Sequence, residues 1–378
     1  MSAHAGFARN VRRGPRVERP VDSQNPFRRI QDFPLAEAAL PDESDKPATR
    51  APLRVAVKQP ASHYHWAGLD FLIDRDGTPV FIEANRASHM LGEYMQFLGN
   101  ERPFEITAGV MNRAGGFPCF LWRRDDPFPD ADEDACFIGR HLARHLDKPP
   151  VICNVEDNQE PCQELVARDG RRVVPGSIFR WWYGLPWSYE RAGVTVINPN
   201  SVWVTVRDKL ACSQTLAGAS SFRVPRCFAV ENTSDGRRLL AEHESLFREG
   251  YVLRPRVGWG GHGVQVADPG VLPFAIRGSY VISERINPPP IDGRFWEVRV
   301  FVMDGIYLGG VRHTSRSPMT NYWQGALPEP LDDATSARLE PAALEAVRLI
   351  DAAAERVQRL AQAPNSPLTR VVYEGNGM

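Results

Sequence analysis

The segment Tyr251-Val-Leu-Arg254-Pro-Arg256-Val-Gly258-Trp-Gly260-Gly261-His-Gly263-Val-Gln-Val266 carries a cationic strand into four glycines and out into a second strand. Glycines let backbone N–H groups approach oxygen atoms with no side chain in the way, and Arg254 offers a charged fork to the same anion. The chemistry implied is phosphate binding. A flexible hairpin has the same composition, and the loop is neither the G-x-x-x-x-G-K-S/T motif nor a strand-to-helix G-x-G-x-x-G.

A set of oxygen donors lies earlier in the chain. Gly68-Leu-Asp70-Phe-Leu-Ile-Asp74 alternates as a strand, Arg75-Asp-Gly77 is a turn, and Thr78-Pro-Val-Phe-Ile-Glu83 returns. Asp70, Glu83 and Asn85 are thus expected on one face of a hairpin as metal ligands. Hard cations take such donors, and Mg²⁺ needs only one or two protein carboxylates when nucleotide phosphates complete its octahedron. A hairpin bearing solvated acids is the plainer alternative.

Other charged residues are scattered between and beyond these sets. Asp208-Lys209 lies on a helix, Glu284 closes a strand ahead of Asn287-Pro-Pro-Pro290, and Arg299 stands within an apolar strand. An arginine there must meet an anion or a carboxylate, and Glu297 is one candidate partner. Arg312, His313 and Arg316, beyond Gly309-Gly310, either hold an anionic substrate or decorate a loop.

The elements that must position these groups alternate in type. Phe117–Trp122, Val151–Val155 and Val194–Asn198 read as short apolar strands, and 135–146 as a helix, which argues for a small parallel α/β domain over 115–200. From Ser201 the pattern is a helix to Ala217, a strand from Arg223 to Val230, a helix from Ser234 to Phe247 with Ser234 and Asp235 as cap candidates, and then the glycine-interrupted strands. Ser279–Ile286 and Phe295–Met303 are strong strands, kept apart by prolines that cannot sit inside a sheet. Pro341 marks a helix start, with Leu344, Val347, Ile350, Val357 and Leu360 on its buried face. Thr369–Tyr373 is a last strand. Residues 1 to about 60 form an irregular arm.

Thr78-Pro-Val-Phe-Ile-Glu83-Ala-Asn85 matches Thr369-Arg-Val-Val-Tyr-Glu374-Gly-Asn376 at Thr, Val, Glu and Asn, so the chain ends a strand twice with Glu-x-Asn.

Composition bounds the reading. The 43% hydrophobic content supplies substantial cores across two or three domains, and the formal charge of -1 excludes a field that would draw the chain to nucleic acid or an anionic membrane. No apolar run approaches the length of a membrane span and no secretory signal is visible, so the expected location is cytoplasmic. The six cysteines form no C-x-x-C pair and are expected to be reduced and structural.

The order of these pieces resembles the ATP-grasp superfamily of ligases. The likeness runs from about Gly193 to Met378 through Asp208-Lys209, Val224-Pro225, Arg254 to Val264, Val281-Ile-Ser-Glu-Arg-Ile286, Glu297-Val-Arg299-Val-Phe-Val-Met-Asp-Gly305 and Glu374-Gly-Asn376. Gly68-Leu-Asp70 through Glu83-Ala-Asn85 resembles the closing third of a second grasp domain. The fold class implied is α/β and α+β, with three parts: a truncated ATP-grasp-like carboxy-terminal segment over 1–110, a pre-ATP-grasp α/β domain over 115–200, and an ATP-grasp domain over 201–378.

The resemblance implies ATP and Mg²⁺ as cofactors. It puts Lys209 and Arg254 at the nucleotide phosphates under Gly258, Gly260, Gly261 and Gly263, and Glu284 with the backbone near Ile286 at the adenine. Arg299, with Arg254, would face the transferring phosphate, and Glu374 and Asn376 would hold metal in the second copy. The activity implied is an ATP-dependent ligase joining a small-molecule or peptide carboxylate to an amine through an acyl phosphate. A non-catalytic nucleotide-binding module and an ATP-grasp phosphotransferase are the alternatives.

Three departures stand out. Arg254 replaces the usual Lys, Ala361 stands where spacing from Glu374 asks for an acid, and no glycine loop precedes the first copy. The chain is then a fragment or half of a split enzyme, or its first hairpin completes the later site, or it has lost catalysis. A fusion with a truncated grasp remnant is the favoured expectation.

Overall fold

Fifteen strands and the helices between them make up the described part of the computed structural model, which covers residues 63–85, 101–122, 138–139, 141–158, 164–180, 185–258, 261–272, 275–320 and 325–362. These residues all fall in one compact unit.

The earliest hairpin is part of the largest sheet. β1 (Trp66–Ile73) and β2 (Pro79–Asn85) join β13 (Phe295–Met303), β14 (Ile306–Ser315) and β15 (Leu327–Pro330) in the antiparallel order β15-β14-β13-β1-β2. Asp70 lies directly opposite Arg299 on one side and Glu83 on the other. The hairpin expected within 1–110 thus shares its sheet with strands expected within 201–378. The hairpin and the later strands share one ladder and bury one core, so they are parts of a single sheet. The outer edge of β2 is closed by Arg223, whose backbone bonds Phe81 and Pro79.

Strand alternation divides the faces of this sheet. Leu69, Phe71, Val298 and Val300 pack on α6 (Asp333–Gln362), which presents Leu339, Ala342, Ala343, Ala346, Val347 and Ile350 at helical spacing. The alanines let the helix lie close to the sheet. The helix begins at Asp333, ahead of the start expected at Pro341, because Asp332 caps it through Thr335 N at 2.8 Å and Pro341 is accommodated inside. Ala361 is buried near the end of this helix, so it is not a strand position equivalent to Asp70.

A second antiparallel sheet, β11-β10-β12-β9, contains β9 (Cys227–Asn232), β10 (Tyr251–Pro255), β11 (Gln265–Ala267) and β12 (Arg277–Glu284). Against it packs α5 (Thr233–Glu242), with Leu239 and Leu240 meeting Tyr251, Leu253 and Ile282. The cap of α5 is Asn232, accepting from Asp235 N at 3.0 Å, in place of the expected Ser234 or Asp235.

Strands β3 (Phe117–Trp122), β4 (Val151–Asn154), β7 (Pro175–Arg180) and β8 (Thr195–Ile197) pair in parallel in the order β4-β3-β7-β8, the geometry expected for 115–200. The pairing strand β7 had no counterpart in the sequence reading. A short antiparallel pair, β5 (Leu165–Val166) and β6 (Arg172–Val173), lies beside them. Phe120, Phe179 and Ile197 pack with Phe104 of α1 (Arg102–Arg113) on Trp66, Phe301 and Met303, covering part of the large sheet's other face. After α2 (Trp187–Arg191), the expected helix from Ser201 is two: α3 (Asn200–Arg207) and α4 (Lys209–Leu216). They break at Asp208, which is extended. Among the described residues no helix is long and apolar enough to cross a membrane.

Candidate functional site

A cleft opens between the two antiparallel sheets and collects most of the charged residues singled out in the sequence. The large sheet contributes Asp70, Glu83, Trp296 and Glu297, and the smaller one Val252, Arg254, Val266 and Glu284. Lys209, Gly258, Gly261, Ile286 and Thr320 complete the lining, while Gly263 stands at the mouth with Ser317 and Pro318. Gly260, Glu374 and Asn376 lie outside the described residues.

Lys209 is the first residue of α4. Its Nζ lies 3.0 Å from Glu83 Oε1 and donates to Gly258 O at 2.9 Å, so one buried ammonium joins the large sheet to the glycine loop. Arg254 on β10 reaches across to donate to Ile82 O of β2 at 3.1 Å. Both cations therefore face the space between the sheets, and a strand carrying Arg254 next to Pro255 leads straight into the loop.

On the large sheet Arg299, which does not itself line the cleft, holds the lining residue Asp70 with a two-point fork, Nε to Oδ1 at 2.6 Å and a terminal nitrogen to Oδ2 at 2.7 Å. Glu297, the partner suggested by sequence proximity, belongs instead with His313, Nδ1 to Oε1 at 3.7 Å. Burial pushes the Glu297 carboxyl up, but hydrogen bonds from His313 and Thr320 and the charge of Arg299 hold it below its usual value. Asn85 turns its amide nitrogen to Gly68 O at 3.1 Å and toward Asp70 Oδ2 at 3.4 Å.

The three residues expected either to hold an anionic substrate or to decorate a loop lie on β14 and just after it. Arg312 is opposite Val298 and shares its face, away from the cleft, pairing with Glu329 at 2.9 Å. His313 is buried behind Glu297, and Arg316 is exposed after β14. Glu284 lines the cleft, but its Oε1 is held by Arg226 N at 2.9 Å and Arg223 at 3.1 Å, and Arg223 also reaches Asp74 at 3.3 Å. The sequence named Asp208 without its partner Arg256, and Thr320 and Trp296 were not foreseen as parts of the site. Nothing in their local sequence distinguishes them, since each gains its meaning from a distant partner.

Asp70 and Glu83 are hard oxygen donors directly opposite one another on the cleft wall, a donor chemistry that fits Mg²⁺. Among the described residues no group of three or more His, Cys, Asp or Glu side chains converges to hold a metal alone.

No protein-family model matches the chain, and no curated protein matches its sequence. Solved structures do match its shape. A candidate gamma-glutamylcysteine synthetase from Methylobacillus flagellatus KT is similar with a TM-score of 0.52 and 11% identity, over 79% of this chain and 91% of that one. D-alanyl-alanine synthetase A from Vibrio cholerae gives a TM-score of 0.43 and 9% identity, over 60% of this chain and 79% of that one. The likeness to the first of these shows that the chain shares its fold.

Proposed function

We propose that this chain is an ATP- and Mg²⁺-dependent ligase that joins a carboxylate to an amine, with an amino acid or peptide as substrate. The observation that carries the reading is one cleft in which Lys209, Arg254 and Gly258 and Gly261 of the glycine loop meet Asp70 and Glu83. Cations beside glycine backbone on one wall suit a polyphosphate, and carboxylates on the other suit its metal.

Lys209 and Arg254 would neutralise the phosphate oxygens, with Gly258, Gly261 and Gly263 beside them. Val252, Val266, Ile286 and Trp296 form the apolar slot for the base. Glu83 and Asp70 would hold Mg²⁺, which supplies charge neutralisation and in-line alignment when bound. Arg299 does not line the cleft and would act through the fork that fixes Asp70. A substrate carboxylate oxygen bonds to the γ-phosphorus as the bond to ADP breaks. The amine nitrogen then attacks the acyl carbon, inorganic phosphate leaves, and the amine proton passes to solvent. The protein positions reactants and offsets charge. In this reading residues 115–200 form the substrate-side domain, and the compartment is the cytoplasm.

Calorimetric titration of the full chain with a non-hydrolysable ATP analogue, with and without Mg²⁺, tests the nucleotide site. Hydroxylamine trapping with ATP and a panel of amino acids tests the acyl phosphate. Binding followed by hydroxamate and ADP formation supports the ligase. Binding with no turnover for any carboxylate points to a nucleotide-binding module, and a stable phosphorylated product points to a phosphotransferase.

A further inference from the structure

The first turn of α4 is fastened to the segment that leads from β10 into the glycine loop, and the fastening spans the two sheets. Asp208 Oδ1 accepts from Leu210 N at 3.0 Å and Ala211 N at 3.2 Å, capping α4, while its Oδ2 lies 2.7 Å from Arg256 Nε. Lys209 N donates to Arg256 O at 3.0 Å, and Arg256 N donates to Ser279 O of β12 at 3.0 Å. Lys209 Nζ then reaches Gly258 O, two residues beyond Arg256. Helix α4 belongs to the core of the large sheet through Cys212 and Leu216, whereas β10 and β12 belong to the smaller sheet's core. A continuous run of contacts therefore passes from β12 through Arg256 to Asp208, Lys209 and the loop.

Neither Asp208 nor Arg256 lines the cleft, so neither is placed to touch the nucleotide. Lysine carries its charge on a flexible four-carbon stem, and a glycine loop has many conformations; ordering both when a ligand arrives costs affinity. Resting on the proposed function, we propose that Asp208 and Arg256 are positioning residues that hold Lys209 and the glycine loop as one preassembled phosphate-binding unit. Their pairing acts on the phosphates of the nucleotide and not on its base, because the base slot is formed by other residues.

The test is calorimetric titration of the full chain with a non-hydrolysable ATP analogue, inorganic tripolyphosphate and adenosine. Asp208→Asn keeps an oxygen to cap α4 but removes the charge that holds Arg256, and Arg256→Gln breaks the same contact from the other side without touching the cap. Each variant is expected to weaken the ATP analogue and tripolyphosphate by about three- to tenfold, with adenosine unchanged, as suits a partly exposed ion pair. The double variant should lose little more than either single one. Variants that bind all three ligands as the unaltered chain does, or that lose adenosine in step with ATP, overturn the positioning role alone. An unaltered chain that binds neither ATP analogue nor tripolyphosphate overturns this inference together with the ligase reading.

Discussion

Asp70 and Arg299, 229 positions apart in the chain, face each other across β1 and β13 and are joined by two charge-assisted bonds of 2.6 and 2.7 Å. Both side chains are largely buried, at 9% and 11% exposure. The pair ties the early hairpin to the later strands beside the cleft that Asp70 lines.

Removing one partner leaves a buried, uncompensated charge. Asp70→Asn and Arg299→Met should each destabilise the chain by about 3 kcal/mol, and the double variant by clearly less than the sum. Denaturant unfolding of the three variants measures this. Additive losses would show that the fork does not act as a unit.

Glu83 competes for Lys209 with any incoming phosphate, since its Oε1 already lies 3.0 Å from the ammonium. Glu83→Gln should tighten Mg²⁺-free binding of an ATP analogue by about fivefold and blunt the gain from adding Mg²⁺. Titration calorimetry at two Mg²⁺ concentrations reads both effects. An unchanged Mg²⁺ response would remove Glu83 from the metal site.

Glu190, at the amino end of α3, carries a pH dependence. Burial pushes its carboxyl up to about 7, against the charge of Arg180 and the backbone N–H groups of Asn200 and Ser201, the first at 2.6 Å. The native state thus keeps a proton that the unfolded chain releases near 4.5. The stability this contributes is complete below that pH and is lost as pH rises toward 7. Glu190→Gln should flatten the melting temperature across this window, and a wild-type curve that rises there contradicts the assignment.

Glu345 acts in the opposite sense. Burial would raise its carboxyl, but Ser221 Oγ and N, at 2.5 and 2.7 Å, together with Ser220 N and Oγ, hold it down at about 2. Its stabilising effect is present above 4.5 and lost as pH falls toward 2. Glu345→Gln should cost roughly 1 to 3 kcal/mol at neutral pH, much less near pH 2, and loosen the 217–222 turn in hydrogen exchange.

Much of the architecture was legible locally. The hairpin around Arg75-Asp-Gly77, the glycine loop between β10 and β11, the proline break after Glu284 and the apolar strand around Arg299 are all written in nearest-neighbour patterns. Turn chemistry and residue period are short-range properties, and a strand or loop reports them wherever it is placed. The cations of the cleft were legible for the same reason, as Lys209 and Arg254 stand beside a helix cap and a glycine loop.

The partners of those residues were not. Arg299 belongs with Asp70 and not with its sequence neighbour Glu297, Arg312 lies on the face toward α6, and Asp208 reaches Arg256 from a separate helix. The sequence by itself determined which segments form strands, where the chain turns, and that a glycine-rich loop and a set of oxygen donors exist. Tertiary structure alone decided that the early hairpin and the late strands form one sheet and face one cleft. Strand register is chosen by shared burial and pairing across hundreds of residues, and no local pattern encodes which of two matching strands takes the place.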